Sequence, residues 1–216
     1  NLSADQVGRC VDEVGIGFCF APLLHSAMKH VGPVRKQLGF RTLFNMLGPL
    51  TNPAGATLQV MGVYDSALCP LAIGTLRALG AERALVLHGE IGMVEIATIG
   101  KTHYAELRNG EITEGTLTPE DFGLTNASPD VNDLAPATTP SENASLLRDV
   151  LHGKQSTQAD IARRNIVAVN AAAALRIAGL AEDWKGGFEL ALQVIDSGKA
   201  LATLEHLIAF TQEVGS

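Results

Sequence analysis

Residues 57–89 read TLQVMGVYDSALCPLAIGTLRALGAERALVLHG, and this stretch sets the fold class. TLQVMGVYD is apolar and rich in β-formers, which predicts a buried strand. SALCPLAIGTLRALG follows as a helix, with Pro70 near its start and Gly80 as its stop. RALVLHG is a second, near-continuous apolar strand. Strand, helix and strand at this spacing predict a βαβ unit with a parallel pair.

Downstream of Gly89 the runs are shorter. MVEIATI, THYAELRNG and EITEGTL each read as strands, and Asn109-Gly110 between the last two is a hairpin signal. The sheet is therefore expected to be parallel in the middle and antiparallel at one edge. Residues 118–140 are rich in Pro, Asp, Asn and Thr and read as a surface loop. Helices follow over Ser141–Leu151, Gln158–Ala178, Trp184–Ile195 and Leu201–Val214. The small residues Ala171 to Ala174 in the second of these predict close approach of a neighbouring element.

Upstream, NLSADQVGRCVDEVG reads as an amphipathic helix with Ser3 as N-cap. The stretch HSAMKHVGPVRKQLGFRTLFNMLGPLTNP, His25 to Pro53, holds Lys29, Arg35 and Lys36 beside His25 and His30 and contains no acid. A helix over Pro22–Val31 puts His25 and Lys29 on one face. Pro33 opens a short helix with Arg35 and Lys36, a further one runs over Thr42–Leu47, and Pro49, Asn52, Pro53 and Gly55 fix a loop. A basic island in an acidic chain suggests a bound anion, and a positive helix face followed by a rigid turn is the simpler alternative.

The chain has 216 residues, enough for one domain with a real core, and is read as a single α/β domain over 1–216. A net charge of −7 argues against wholesale nucleic-acid binding, so an anion site must be local. No apolar run is long enough to cross a bilayer. Cys10, Cys19 and Cys69 have no paired spacing, which fits free thiols in a reducing compartment; a cytoplasmic protein is expected. The chain starts with Asn1, and the expectation is the C-terminal part of a longer protein.

Three residues stand out chemically. Arg35 can grip a planar carboxylate in two-pronged fashion, or simply reach solvent. Glu95 follows the RALVLHG strand, and ligands in open α/β sheets gather beyond such strand ends. A carboxylate there could hold Mg²⁺ and through it phosphates, or be a solvated surface acid. His88, at the same strand end, is more often structural than catalytic. No Ser-His-Asp set, P-loop, GxGxxG or zinc-type spacing is present.

GFCFAPLLHSAMKHVGPVRKQLGFRTLFNMLGPLTNP resembles the signature region of the anthranilate phosphoribosyltransferase family. QVMGVYD, the ALVLHGE strand, the NAAAAL helix and the IDSGKA turn continue the resemblance across the chain. The pyrimidine nucleoside phosphorylase group shares the fold but lacks this signature. The resemblance implies an α/β fold with a mixed, mainly parallel sheet flanked by helices, as in the nucleoside phosphorylase/phosphoribosyltransferase C-terminal domain. It implies transfer of phosphoribose from phosphoribosyl pyrophosphate to anthranilate in tryptophan biosynthesis, with Mg²⁺, in a homodimeric parent. It assigns Arg35 to the anthranilate carboxylate and His25 and Pro49 to the anthranilate pocket. It further implies Met28 as a substrate-binding residue and Glu95 as the metal ligand.

This chain departs from the family where Val94-Glu95 replaces the usual Asp-Glu, and where Ser26 follows His25 in place of proline. The family's glycine-rich phosphoribosyl pyrophosphate loop, Lys-His-Gly segment and helical domain are not in these 216 residues, so no measurable phosphoribosyl transfer is expected of them alone. A non-catalytic or altered-substrate paralogue that keeps the anion pocket with weakened metal binding is the alternative, and Val94 is the feature that favours it.

Overall fold

The computed structural model describes residues 2–20, 48–125 and 130–215. His25, Met28 and Arg35, and the helices expected over Pro22–Val31, from Pro33 and over Thr42–Leu47, lie outside the described residues. The chain divides into two compact units, Asn1–Ala56 with Ala202–Ser216, and Thr57–Leu201.

In the first unit, α1 (Ala4–Val14) begins at a reciprocal cap. Ser3 Oγ accepts from the Gln6 amide and Gln6 Oε1 accepts from the Ser3 amide, at 3.3 and 2.8 Å. Ser3 is thus the N-cap that its residue type predicts, and Gly15 ends the helix in the left-handed region (φ 86°). Val7 and Cys10 are its buried face. Gln6 Nε2 donates to the Val214 carbonyl at 2.6 Å, and the Arg9 guanidinium lies 5.6 Å from the Phe210 ring centroid. Residues 48–50 are helical. Asn52 Oδ1 then accepts from the Ala54 amide at 2.9 Å, a side-chain-closed turn of the kind that the run of Asn, Pro and Gly predicts.

The second unit holds the sheet. Its strands are β1 (Leu58–Gly62), β2 (Arg83–Gly89), β3 (Thr102–Arg108) and β4 (Glu111–Leu117), in that spatial order. β1 and β2 are parallel, joined through α2 (Cys69–Ala78), as the strand–helix–strand reading requires. Pro70 sits in the first turn of α2, where a missing N–H breaks no helical bond. Ala84, Leu85, Val86 and Leu87 are all essentially inaccessible, so β2 is covered on both faces, which is why it reads as a continuous apolar run.

β2–β3 and β3–β4 are antiparallel. Asn109 and Gly110 turn the last hairpin, both with positive φ (54° and 80°), the combination a tight two-residue hairpin turn needs. Among the described strands the parallel part is one neighbour pair against two antiparallel ones, less than a mainly parallel sheet. The physical reason lies in the connections: the segment between Gly89 and Thr102 holds no crossover helix, and Asn109-Gly110 alone joins β3 to β4, so both pairs run antiparallel.

Four helices complete the chain: α3 (Pro140–Leu151), α4 (Gln158–Ile177), α5 (Trp184–Asp196) and α6 (Lys199–Val214). Leu85, Leu87 and Leu117 join Ala168, Val169, Ala172, Ala173 and Phe188 in one buried cluster under α4 and α5. Ala172 and Ala173 are fully buried, and a methyl group on Gly187 of α5 would lie 3.1 Å from the Ala172 Cβ. The alanine run is therefore a close helix–helix contact, as its small side chains predict. α2 packs on β2 and β3 from the other face.

Two expectations need correcting. MVEIATI is not a strand: Met93 makes a single bridge to Gly89, and Ile96 is held by a side chain in place of a neighbouring strand. Residues 118–140 are more than an irregular loop. They include two short 3-10 helices, Pro119–Phe122 and Val131–Leu134, and Phe122 is buried in the core. Among the described residues, no helix is long and apolar enough to cross a membrane.

Candidate functional site

The C-terminal ends of the two parallel strands are Gly62 and Gly89. Both are receiving points for residues 93–97. A methyl group on Gly62 would sit 1.6 Å from the Val94 carbonyl oxygen, and one on Gly89 would sit 3.1 Å from the Glu95 carbonyl oxygen. Only glycine admits a backbone approach this close at Gly62. Val94 and Glu95 are thereby laid across the ends of β1 and β2, where an open α/β sheet offers its ligand crevice.

A cavity of about 380 Å³ opens at this place, lined by Val60, Gly62, Leu87, Val94, Glu95, Ile166, Val167 and Asn170. Its walls are apolar apart from Glu95 and Asn170. Glu95 is exposed, and its carboxylate has no hydrogen-bond or ion-pair partner among the described residues. Asn170 is engaged: its Oδ1 accepts from the Ile96 amide at 2.9 Å, and its Nδ2 donates to the Ile96 and Ile166 carbonyls at 3.0 and 2.9 Å. The Ala97 amide donates to Thr102 Oγ1 at 3.0 Å.

The neighbouring acid is not available in the same way. Glu90 accepts from the Lys101 amide at 3.3 Å and pairs with the His103 ring at 3.1 Å, one carboxylate oxygen to each. His88 is likewise structural, its Nδ1 lying 2.9 Å from the Val63 carbonyl oxygen. Among the described residues no group of three or more His, Cys, Asp or Glu could hold a metal ion. One free carboxylate beside an open cavity is unsuited to a protein-only cage. It does suit Mg²⁺, which binds through one or two carboxylates together with phosphate oxygens and water.

Glu95 is thus the described polar candidate that stays open to a ligand. Pro49 is exposed in the helical residues 48–50 of the first unit. His25, Met28 and Arg35 lie outside the described residues. Sequence reasoning missed Asn170. Its signal was an amide at the centre of the otherwise apolar run IVAVNAAAAL (residues 166–175), where a packing residue would carry no polar atom.

The family model described as "Glycosyl transferase family, a/b domain" matches residues 1–201. An anthranilate phosphoribosyltransferase of Desulfosudis oleivorans is 50% identical over 207 residues, covering 96% of this chain and 59% of that protein. The crystal structure of anthranilate phosphoribosyltransferase from Thermus thermophilus superposes with a TM-score of 0.85 at 40% identity, over 96% of this chain and 59% of that one. The Saccharomyces cerevisiae enzyme in complex with 4-fluoroanthranilate gives 0.86, and in complex with PRPP and Mg gives 0.84. Both are 30% identical and cover 98% of this chain and 59% of theirs. The chain therefore spans about 59% of the length of these relatives. By the match over residues 1–201 it belongs to the glycosyl transferase family, in its a/b domain.

Proposed function

We propose that this chain forms part of the site of an anthranilate phosphoribosyltransferase. The reaction joins the amino nitrogen of anthranilate to the ribose of phosphoribosyl pyrophosphate, breaks the bond to pyrophosphate, and releases a proton from the nitrogen. The observation that carries this reading is the Glu95 carboxylate, without a partner among the described residues, at the cavity over the ends of β1 and β2. The 50% identity to the Desulfosudis oleivorans enzyme supports the choice of substrates, and so do the PRPP, Mg and 4-fluoroanthranilate complexes of the yeast relative.

In this reading Glu95 is the residue of this chain that holds Mg²⁺. When bound, the ion neutralises phosphate charge that builds up as pyrophosphate leaves. His25, Met28, Arg35 and Pro49 bind anthranilate, with Arg35 on its carboxylate; these assignments rest on the resemblance of the signature region. An aryl amine is already a nucleophile near neutral pH, so positioning and charge neutralisation supply most of the catalysis. The homodimeric parent is carried over from the resemblance as well. Free Cys10, Cys19 and Cys69 support a reducing, cytoplasmic setting.

A second reading, a non-catalytic or altered-substrate paralogue with weakened metal binding, is favoured by Val94, an apolar residue 50% exposed beside Glu95. The test joins this chain to the remaining part of the Desulfosudis oleivorans enzyme and follows the loss of anthranilate fluorescence with phosphoribosyl pyrophosphate and Mg²⁺. Turnover is expected, and Glu95→Gln should slow it about tenfold or more at limiting Mg²⁺. A chimera that folds and binds anthranilate without turnover at saturating Mg²⁺ favours the paralogue.

A further inference from the structure

We propose that Asn170 is the positioning residue of this site: its amide holds the backbone of Ile96 and so sets Glu95 at the cavity for a divalent cation. This role rests on the reading of Glu95 as the metal ligand given above. Glu95 has no side-chain partner of its own among the described residues, so its place is set by its neighbours in the chain. On one side the bridge Gly89–Met93 and the contact with Gly62 fix Met93 and Val94. On the other side Ile96 is fully buried. Its N–H and C=O are therefore out of water and need partners.

No strand supplies them. The Asn170 side chain does, with an acceptor for the N–H and a donor for the C=O, at 2.9 and 3.0 Å. The amide thus does for Ile96 what a neighbouring strand would do. The second Nδ2 hydrogen goes to the Ile166 carbonyl one turn back at 2.9 Å, which fixes the amide's orientation on α4. Two bonds from one side chain to Ile96, with a third that anchors that side chain to its own helix, hold the residue after Glu95 in place.

The same device occurs elsewhere in the chain without a cavity. Asn143 Oδ1 accepts from the Ala137 amide at 3.1 Å, and its Nδ2 donates to the Ala137 and Thr139 carbonyls at 2.9 and 2.8 Å. Asn143 does not line the cavity. It is the internal control: equal bonding, no ligand.

The test uses the 216-residue chain with Mn²⁺ in place of Mg²⁺ and inorganic pyrophosphate as co-ligand. Free Mn²⁺ is read by electron paramagnetic resonance, and Ile96 amide exchange by NMR. Asn170→Ala is expected to speed Ile96 exchange and to weaken Mn²⁺ binding about tenfold or more, the usual effect of losing a group that orients a ligand. Asn143→Ala is expected to lower the melting temperature without moving Mn²⁺ binding. If Asn170→Ala does not fold, Asn170→Gln, which keeps the amide but displaces it by one methylene, carries the same comparison. Unchanged Mn²⁺ binding in the Asn170 variant, while Glu95→Gln weakens it, overturns the positioning role alone. Unchanged binding in Glu95→Gln overturns the metal reading, and the positioning role falls with it.

Discussion

A methyl group on Gly62 would lie 1.6 Å from the carbonyl oxygen of Val94, so the end of β1 and the segment bearing Glu95 meet backbone to backbone. Gly62→Ala must push one of them away. Overpacking against a side chain costs about 1–3 kcal/mol, and here the obstacle is main chain. The expected loss is about 3 kcal/mol in urea unfolding, or a displaced 93–97 segment. Gly74→Ala is the contrast. Gly74 lies inside α2 with nothing within 4 Å of an added methyl, and alanine there should stabilise by about 0.5–1 kcal/mol. Equal effects of the two changes would refute the packing argument.

Glu106 of β3 and Arg176 of α4 form an ion pair at 2.7 Å, with side chains only 7% and 15% exposed, and the Arg176 guanidinium stacks 4.3 Å from the Trp184 ring centroid. Arg176→Ala leaves a buried carboxylate without its partner and should cost about 3–5 kcal/mol. The double change Arg176→Met with Glu106→Leu should recover most of that, because an apolar pair of similar volume avoids the desolvation of both charges. A double variant as unstable as the single one would contradict this.

The three cysteines should differ in reactivity. Burial pushes the Cys69 thiol up to about 11, helped by the Glu114 and Asp65 carboxylates. Burial, and then Glu13, raises Cys10 as well. Cys19 is only half-buried. A disulfide reagent at about pH 8 should therefore label Cys19 first, and mass spectrometry of the native protein reads which site is modified. The pH dependence follows from the sign of the shift. A folded pKa above the unfolded 9.0 means that the native state holds the proton more tightly. The Cys69 contribution to stability is then complete below pH 9.0 and declines as pH rises towards about 11. Cys69→Ser should flatten that decline; an unchanged alkaline profile would disprove its source.

The sheet and helices were legible because their signals are local. β2 shows a run of apolar residues, Asn109-Gly110 a turn, and Ser3 a cap. Residues 93–99 were misread because Met93, Val94 and Ile96 carry strand-like side chains, while what closes the hydrogen bonds of Ile96 is Asn170, far along the chain on α4. Periodicity reports burial, and Ile96, Ala97 and Thr98 are buried as a strand would be. It carries no information on which group pairs with a buried amide. Glu95 was legible as a candidate by its place after a buried strand. The engagement of Glu90 by Lys101 and His103 was not, since it needs the β2–β3 register that puts His88 opposite His103.

Glu95 as a metal ligand beside an apolar Val94 is the central claim, and one measurement addresses it directly. The chimera with the remaining part of the Desulfosudis oleivorans enzyme is assayed for the Mg²⁺ concentration that gives half-maximal rate, in Val94→Asp against the parent. A carboxylate added beside Glu95 should strengthen Mg²⁺ binding by about 1.5–3 kcal/mol, on the order of tenfold to a hundredfold, and leave the KM for anthranilate little changed. The predicted result is that lower Mg²⁺ requirement. An unchanged Mg²⁺ requirement in Val94→Asp, with the variant folded and active, would contradict the claim.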